Sequence, residues 1–338
     1  MIRVCIIGLG GMGNMHLGCY GTVPDVQVVA LADVNEAKLR PGKSSQQINI
    51  GTGGGQIDPA RHRLYSKAEK LIADPNVDLV DVCLPTFLHA KYCVKALKAG
   101  KHVVCEKPMA LTYADCKRVL KAAGEARGKL MIAQVVRFFP AYEILKETVE
   151  SGRLGRLKHL TMSRLSSAPR WSWDNWFLDH KRSGGALLDL HVHDADFVHY
   201  LLGEPKAVFA RGAHGPSGGW DAVTASYVYD GDLAVSVTGS WMLPDGFQFA
   251  AGFIANFENG CLVHNSAAKD PMLEGSAGGM RAVALPDKNG YREELAYFVG
   301  CLVGGKEATK VMPASSAFSI RLVEAERKSI ERKKVVKL

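Results

Sequence analysis

The chain has 338 residues, of which 47% are hydrophobic and 22% are charged, with a formal net charge of +8. This composition indicates a globular protein and excludes a disordered or fibrous chain. The length exceeds one ordinary hydrophobic core and predicts two domains, which we place at residues 1–134 and 135–338. Much of the positive charge lies between Arg327 and Lys337, a pattern typical of a solvated helix face. Because no nucleic-acid-binding motif accompanies it, we expect no nucleic-acid partner.

The cysteines indicate a reducing compartment. All eight are scattered, without a Cys-x-x-Cys pair, and Cys5, Cys83 and Cys105 fall inside apolar strands. This distribution is typical of buried thiols rather than of a disulfide framework or a zinc site. We find no signal peptide before the first strand and no uncharged apolar stretch long enough to span a bilayer. We therefore expect a cytoplasmic protein without a membrane partner.

The N-terminal segment carries a glycine-rich motif directly after its first apolar run. The apolar run Ile2 to Ile7 predicts a buried parallel strand, and glycines follow it at the spacing of the dinucleotide-binding fingerprint. Glycine at these positions allows a tight turn, close approach of a pyrophosphate and close packing of a helix on the strand. Met12 to Tyr20 can form that helix, with its first amides facing an anion. The predicted cofactor loop consists of Gly8, Gly10, Gly11, Met12 and Gly13.

A second apolar run, Val26 to Ala32, predicts the next strand and ends at Asp33, twenty residues after Gly13. At this distance a carboxylate meets the ribose hydroxyl pair of a bound dinucleotide. A carboxylate also repels a 2′-phosphate, so Asp33 predicts NAD as the cofactor. Lys38 and Arg40 leave the use of NADP open.

The next elements predict a doubly wound parallel sheet followed by a different kind of domain. The glycine-rich residues 41–58 predict a long surface loop. The alternation then continues with strand Leu79–Leu84, helix Lys91–Ala99, strand His102–Cys105, helix Leu111–Arg127 and strand Leu130–Ala133. Beyond the helix Pro140–Glu150, consecutive strand patterns predict an open, mainly antiparallel sheet. These strands are Val208–Gly212, Thr224–Tyr229, Ala234–Ser240 and Phe249–Phe257, and helices Tyr291–Leu302 and Ser316–Arg332 would cover one face. The fold class is therefore α/β, with an N-terminal Rossmann sheet and a C-terminal α+β domain.

Lys107 is the first candidate for chemistry, because it directly follows the predicted strand His102–Cys105. Ligands of open parallel sheets lie outside the carboxyl ends of the strands. Pro108 restricts Lys107 to an extended backbone, which gives its side chain a fixed direction. A lysine in a partly dry crevice can donate to a substrate hydroxyl and favour its alkoxide. The alternative is a lysine that only extends from a strand end into solvent.

A second candidate group lies on a predicted helix that ends at Leu202. At helical spacing Asp189, His193 and Asp196 fall on one face. His193 has a side chain suited to proton transfer, and Asp189 can orient it or bind the same hydroxyl. The alternative is a histidine with a purely structural role in the core. His191 and His193 point roughly 200° apart on a helix, so they cannot easily share an ion, and we predict no metal site.

Aromatic and polar residues before this helix predict a sugar-binding surface. Indole rings stack on the faces of sugar rings, and Asn and Arg side chains bind hydroxyls. The alternative for each indole is a place in the core or in a subunit interface. The predicted substrate-contacting residues are Arg164, Trp171, Trp173, Asn175, Trp176 and Tyr291.

In this order, several motifs resemble the glucose–fructose oxidoreductase and inositol dehydrogenase family. They are the Gly8–Gly13 fingerprint, Cys83-Leu-Pro85-x-x-x-His89, Glu106-Lys107-Pro108, Arg137-Phe138-x-Pro140, and Gly184-Gly185-x-x-x-Asp189-x-x-x-His193-x-x-Asp196. The resemblance covers essentially the whole chain. It implies an N-terminal nicotinamide-binding domain and a C-terminal domain whose sheet forms an oligomer interface. We extend the predicted cofactor site accordingly to Pro85, Thr86, His89, Glu106 and Lys107.

The resemblance implies an NAD-dependent dehydrogenase that oxidises a secondary hydroxyl of a cyclitol or sugar. Lys107, Asp189 and His193 would surround the carbinol, with His193 taking the proton. His191 stands where many members carry a small or apolar residue, so the substrate stays open. The alternatives are a glycosidase that transiently oxidises its sugar with tightly held NAD, and a non-catalytic sugar- or nucleotide-sensing regulator. We expect a small polyol or sugar as partner and a homodimer or homotetramer formed through the C-terminal sheet.

Overall fold

The computed structural model describes residues 1–48 and 51–338, and the chain divides into two compact units. The first unit consists of Met1–Val135, Trp171–Asp174 and Asn289–Ala317. The second consists of Val136–Arg170, Asn175–Lys288 and Phe318–Leu338. The domain boundary at residues 134 and 135 remains a proposal.

The strands and helices of the described residues are numbered here in chain order. The strands of the first half are β1 Ile2–Ile7, β2 Val26–Ala32, β3 Gly42–Ile48, β4 Gly51–Ile57, β5 Arg63–Tyr65, β6 Leu79–Val82, β7 His102–Glu106, β8 Leu130–Ala133 and β9 Leu157–Ser167. The later strands are β10 Ala207–His214, β11 Trp220–Val228, β12 Ala234–Leu243, β13 Ala250–Phe257, β14 Gly260–Asn265, β15 Met272–Ser276, β16 Gly279–Ala282 and β17 Val336–Lys337. The helices are α1 Gly11–Tyr20, α2 Ala68–Ile72, α3 Thr86–Lys98, α4 Tyr113–Glu125, α5 Pro140–Ser151, α6 His180–Ser183, α7 Gly185–Asp189, α8 Val192–Leu202, α9 Gly290–Val303 and α10 Pro313–Arg332.

The first unit contains the predicted parallel sheet. Within the described residues this sheet has six strands in the order β5-β2-β1-β6-β7-β8, and every neighbouring pair is parallel. The central strand β6 and the edge strand β8 are buried along their length, as expected for a parallel sheet with both faces covered. The strand order reverses between β1 and β6, and ligands of such sheets bind outside the carboxyl ends at this point.

The predicted surface loop at residues 41–58 was wrong, because these residues form an antiparallel hairpin. β3 pairs with β4 from Gly42 opposite Ile57 onward, while residues 49 and 50 lie outside the described residues. A Cβ at Gly18 of α1 would lie only 2.6 Å from the carbonyl oxygen of Gly54. A Cβ at Gly55 would lie 2.3 Å from Cγ of Leu17. The glycines therefore allow a strand to lie against a helix, where the sequence pattern suggested loop.

The second unit is built on the predicted open sheet. Within the described residues it has nine strands in the order β16-β15-β14-β13-β9-β12-β11-β10-β17. Only the pair β9 and β12 is parallel in that sheet as described, and the other neighbours are antiparallel. The mainly antiparallel architecture is thus confirmed. β9, the central strand, was not predicted, because its buried side continues from Leu160 and Met162 into Arg164 and Ser166, which interrupt the apolar pattern.

No helix in residues 1–48 and 51–338 combines the length and the hydropathy that a membrane span requires.

Candidate active site

In the glycine loop after β1, the packing of the protein itself requires glycine at two positions but not at a third. Gly8 has φ +93°, and a Cβ there would lie 2.4 Å from the carbonyl oxygen of Cys83. A Cβ at Gly13 would lie 1.8 Å from the carbonyl oxygen of Gly8, where α1 packs on the loop. A Cβ at Gly10 would meet no described atom within 4 Å. Gly10 therefore leaves space for something outside the chain, as a pyrophosphate requires.

The amino end of α1 is left available to an anion. Gly10 is the N-cap residue, and no described side chain caps the helix there. Asn14 instead donates through Nδ2 to the carbonyl oxygens of Leu9 and Gly10, at 3.0 and 2.9 Å, which fixes the loop. At the first residue of α3, directly beyond β6, the hydroxyl of Thr86 is buried and has no hydrogen-bond partner among the described residues. The open side of Gly10 and the uncapped helix end fit a dinucleotide phosphate.

Asp33 stands against this loop, as the fingerprint predicts. Its Oδ2 accepts the backbone N–H of Leu9 at 2.8 Å, and its Oδ1 accepts that of Asn35 at 2.8 Å. Lys38 lies close by, with Nζ 3.9 Å from Oδ2 of Asp33. The carboxylate is therefore placed by backbone amides and is partly balanced by a cation. Its contact with a ribose stays a prediction.

Lys107 lies at the carboxyl end of β7, on the sheet edge that carries the glycine loop. The Lys107–Pro108 peptide bond is cis, and the N–H of Lys107 donates to Oε2 of Glu106 at 3.0 Å. His89 connects this turn to the turn after β6, because its Nδ1 lies 2.7 Å from the carbonyl oxygen of Pro108 and its Nε2 lies 2.7 Å from that of Leu84. Burial lowers the pKa of His89 more than these carbonyls raise it. Both ring nitrogens thus have backbone partners, and a contact of His89 with the cofactor stays a prediction.

Beneath the loop, sequence analysis missed a buried charged group centred on His16. Nδ1 of His16 lies 2.8 Å from Oδ2 of Asp81, and Nε2 lies 3.1 Å from Oε1 of Glu106. The thiol of Cys83 donates to Oδ1 of Asp81 at 3.3 Å. Burial alone lowers the pKa of His16, but the charge of Asp81, with Cys83 and the hydrogen bonds, raises it well above its usual range. The signal in the sequence was an aspartate in the middle of the apolar strand β6, since such a residue requires a partner.

The same group could be mistaken for a metal site. The nitrogen, oxygen and sulfur atoms of His16, Asp81 and Cys83 lie within 4.8 Å of one another. The short contacts between them are hydrogen-bonding contacts, so these atoms already have partners. We interpret the group as a charged hydrogen-bond network.

The predicted continuous helix through Asp189 and His193 was wrong, because the helix is interrupted between them. α7 ends at Asp189 and α8 begins at Val192. The N–H groups of Leu190 and His191 both donate to the carbonyl oxygen of Ala186, at 3.0 and 2.8 Å. Since two amides share one carbonyl, the helical register shifts by one residue, which the sequence periodicity cannot show.

The helix α7 begins at two glycines with positive φ. Contacts beside the second glycine hold the start of the helix. Gly185 has φ +69°, and a Cβ there would lie 3.0 Å from both Oδ1 of Asp221 and Oγ of Ser217. Oδ1 of Asp221 accepts the N–H of Ala186 at 3.0 Å and the hydroxyl of Ser217 at 2.7 Å. Gly185 therefore lies close to Asp221 of β11 in the same unit.

Buried ion pairs hold α8 in the second unit. Nε and Nη2 of Arg164 donate to Asp194 at 2.8 and 2.9 Å. Nε and Nη2 of Arg137 donate to Asp196 at 2.8 and 2.6 Å, and Ser319 adds a hydroxyl at 2.7 Å. Arg164 is only 5% exposed, so the structure gives this predicted substrate residue a structural partner. Its contact with substrate stays a prediction.

His191 belongs to the same set of contacts. Its Nε2 lies 3.0 Å from Oε2 of Glu326 on α10, and Tyr227 donates its hydroxyl to the other oxygen of Glu326. A Cβ at Gly239 of β12 would lie 2.9 Å from Cβ of His191, so this glycine makes room for the histidine. Burial lowers the pKa of His191, but the charge and hydrogen bond of Glu326, together with the charge of Asp194, more than offset burial and the pKa is raised. His191 is therefore a core residue between helix and sheet.

The remaining predicted residues are distributed over both units. Trp171 and Trp173 belong to the first unit and are 42% and 51% exposed. Asn175 and Trp176 belong to the second unit, where Trp176 stacks on Phe177. Tyr291 is the second residue of α9 in the first unit. Lys107 likewise lies in the first unit, whereas Asp189 and His193 lie in the second, so the joint action of all these residues stays a prediction.

The comparison with protein families decides which family carries these features. Residues 2–134 match the family described as "Oxidoreductase family, NAD-binding Rossmann fold". Residues 142–264 match the "GFO/IDH/MocA C-terminal domain". The chain belongs to the GFO/IDH/MocA family. This confirms the resemblance that the motifs predicted, and it confirms an NAD-binding Rossmann domain in the first unit.

Among characterised relatives, the GFO/IDH/MocA chain is similar to myo-inositol 2-dehydrogenase of Thermotoga maritima, with 34% identity over 63% of this chain and 58% of that protein. It is also similar to 2,7-anhydro-N-acetylneuraminate hydratase of Escherichia coli, with 35% identity over 44% of this chain and 40% of that protein. The chain therefore matches only about half the length of these relatives. A solved structure of a probable dehydrogenase from Thermotoga maritima shares the fold with a TM-score of 0.80 and 26% identity, over 99% of this chain and 98% of that one.

Proposed function

We propose that this GFO/IDH/MocA protein is an NAD-dependent dehydrogenase that oxidises a secondary hydroxyl of a cyclitol or sugar. The observation that carries the proposal is the place of Lys107 on the sheet. It follows β7, two strands from the β1 that carries the glycine loop, which is about 10 Å across the sheet. A dinucleotide whose pyrophosphate lies on the loop can extend its reacting end over that distance. The named activity of the Thermotoga relative supports a cyclitol as substrate.

Each group has a separate task in this proposal. The Gly8–Gly13 loop and Asp33 would hold NAD, which when bound accepts the hydride of the carbinol carbon. Lys107 donates a hydrogen bond to the carbinol oxygen and favours its loss of a proton. His193 takes that proton, and Asp189 orients the same hydroxyl.

The ion pairs of α8 support the task given to His193. Asp194 and Asp196 follow it within one turn, and their buried arginine partners lie on other elements of the second unit. A catalytic group is most effective on a rigid element whose neighbours lock its position. His193 is itself only half-buried, so its imidazole is accessible from outside the core.

A screen of cyclitols and aldoses with NAD, followed by NADH absorbance, tests the proposal. We expect Lys107→Ala and His193→Ala each to lower kcat/KM by about 10²- to 10⁴-fold, while NADH binding measured by fluorescence is retained. The double variant should be little worse than either single variant, because both residues act on one hydroxyl. Lys98→Ala, on an exposed position of α3, is the matched control. Turnover that survives both single variants would contradict the assignment.

A second candidate function rests on the hydratase relative. Hydration has no net oxidation, so an enzyme of this kind that used NAD would have to regenerate it within each turnover. The glycosidase considered above shares this property. Product formation followed by chromatography, without NADH appearing in solution, would favour this candidate. Tight NADH binding without turnover of any polyol or glycoside would instead favour a regulator.

We also propose that copies of the chain associate through the open face of the nine-stranded sheet described above. Phe209, Ser226, Ser236, Thr161 and Ile254 form one row across β10, β11, β12, β9 and β13. Phe209 and Ile254 are 38% and 46% exposed, and exposed apolar residues on such a face favour association. Light scattering should show a dimer or tetramer that Ile254→Lys dissociates.

The free thiols of the described cysteines support a cytoplasmic location.

A further inference from the structure

We propose that His16 is a positioning residue that joins the cofactor-binding helix α1 to the turn of Lys107 through a doubly protonated imidazole held between two buried carboxylates. The inference rests on the proposed function, because it assigns to His16 a part in placing the catalytic lysine. The side chain of His16 has no contact with solvent, and we do not assign it a contact with the substrate.

The contacts form a continuous path. On one side of the ring, Nδ1 of His16 lies 2.8 Å from Oδ2 of Asp81, at the carboxyl half of β6. On the other side, Nε2 lies 3.1 Å from Oε1 of Glu106, the last residue of β7. The second oxygen of Glu106 accepts the N–H of Lys107 at 3.0 Å. His16 itself lies one turn after the glycine loop, on the helix whose amino end would face the pyrophosphate.

The burial of the carboxylates requires a cation at this place. The side chains of His16 and Asp81 are fully buried, and that of Glu106 is 8% exposed. Buried charges are costly unless they are paired, and a neutral imidazole has one N–H to donate whereas an imidazolium has two. The imidazolium can therefore serve both carboxylates at once.

Of the neighbouring titratable groups, Lys107 adds positive charge near Glu106, whereas the ring of His16 contacts both carboxylates. Burial, with the nearby charge of Asp81, raises the pKa of the Cys83 thiol beyond the range in which it ionises. Burial, with the charge of Glu106, raises the pKa of Glu294 on α9 well above its usual range. Burial also raises the pKa of Glu106, but the contact with His16, together with the charges of Lys107 and His89, outweighs burial and the pKa is lowered. Among the described residues, the titratable or charged groups around the network include Cys5 on β1, Cys19 and Tyr20 on α1, Asp81 and Cys83 at β6, His89 on α3, Cys105, Glu106 and Lys107 at β7, and Glu294 on α9.

The main test is the variant His16→Gln, which keeps a hydrogen-bond donor but removes the charge. We expect kcat to fall by about 10²-fold, the loss typical of a misplaced catalytic group, with a much smaller change in NADH affinity. Without the cation, Glu106 keeps its proton to a higher pH, so the acid limb of the kcat/KM profile should move upward. In the double variant His16→Gln/Glu106→Gln the group at 106 no longer titrates, and this shift should disappear.

His102→Gln is the matched control. His102 lies at the other end of the same strand as Glu106, and its Nδ1 accepts the N–H of Lys129 at 3.0 Å, a contact that glutamine can replace. It should leave kcat and the pH profile unchanged. A His16→Gln enzyme whose pH profile coincides with that of the parent would overturn the proposal, even if its stability were reduced.

A second readout does not depend on turnover. In the ¹⁵N spectrum of histidine-labelled protein, His16 should give an imidazolium signal at pH values well above about 6.5, the ordinary histidine pKa, and His16→Gln should remove it. A neutral His16 there would also overturn the proposal. If the parent protein oxidises no polyol or sugar, the proposed function fails, while the spectrum still tests the charge of His16.

Discussion

Lys107 in the first unit is placed by strand ends and backbone hydrogen bonds, whereas His193 in the second stands on a helix held by buried ion pairs. The turn of Lys107 is fixed by contacts with Glu106 and with His89, which bonds to backbone carbonyls. The helix of His193 is fixed by Arg137 and Arg164, which lie 59 and 30 residues away from their aspartate partners. The first arrangement follows from local sequence and sheet order, and the second from contacts between distant segments.

This difference has an energetic consequence. A net hydrogen bond is worth about 1 kcal/mol, whereas removing one partner of a buried ion pair costs about 3–5 kcal/mol because the other charge stays buried. Removing an arginine partner of α8 should therefore cost more stability than removing one hydrogen bond of the Lys107 turn. The following predictions test that expectation, from the largest expected effect to the smallest.

Arg137→Met should give the largest effect, because Asp196 would remain buried without its cation. Both side chains are 1% exposed. We expect the free energy of unfolding to fall by about 3–5 kcal/mol in urea denaturation. Arg118→Met is the control, because the Arg118–Asp115 pair lies on the surface and contributes little. If both substitutions lowered the free energy of unfolding equally, the buried ion pairs of α8 would not be what holds this helix in place.

Gly8→Ala and Gly10→Ala should separate folding from cofactor binding within the first unit. Gly8 has φ +93° and a carbonyl oxygen at the place of the added carbon, so alanine should destabilise the protein by about 1–3 kcal/mol. At Gly10 the added carbon has space, so stability should be unchanged while NADH binding weakens by about tenfold or more. Calorimetry and NADH fluorescence measure the two quantities. Unchanged NADH affinity in Gly10→Ala would argue against the pyrophosphate lying on this loop.

The pair His191–Glu326 should make stability depend on pH. The pKa of His191 is raised in the folded protein, so its stabilising contribution is fully present below about 6.5, its unfolded value, and is lost as the pH rises through the folded pKa. The reference is His191→Leu/Glu326→Gln, which removes both charges and keeps a partner for Tyr227. The stability advantage of the parent over this variant should shrink between pH values near 6 and the alkaline range. An advantage that grows with pH would contradict the raised pKa.

Lys38→Ala should have the smallest effect. Its Nζ lies 3.9 Å from Asp33, at a distance where a partly exposed ion pair is worth a fraction of a kcal/mol. Removing it should increase the preference for NAD over NADP by roughly two- to fivefold, as measured by titration with both reduced cofactors. A gain in NADP affinity would show that Asp33 does not repel the 2′-phosphate.

The same difference between local and distant contacts determines which parts of the structure could be predicted from the sequence. The bounds of β2 and β8 match the predicted strands because continuous apolar runs in a parallel sheet are buried on both faces. The positions of the glycine loop and Lys107 follow from β1 and β7, which end directly before them. β9 was missed because Arg164 is buried there only by virtue of Asp194, which lies 30 residues further along. The break between α7 and α8 was missed for a similar reason, since His191, one of the two residues in it, contacts Glu326 on α10.

Gly239 limits how the segment around His193 can be altered in protein engineering. The absence of a side chain at this position of β12 leaves space that the ring of His191 fills, and Glu326 and Tyr227 complete its surroundings. A segment 184–196 taken from another enzyme would bring its own residue 191 into a space shaped for imidazole. Transfer of substrate preference between such enzymes would then require residues 227, 239 and 326 to be exchanged together with the segment. The segment around His193 is in this sense coupled to a distant part of the sheet.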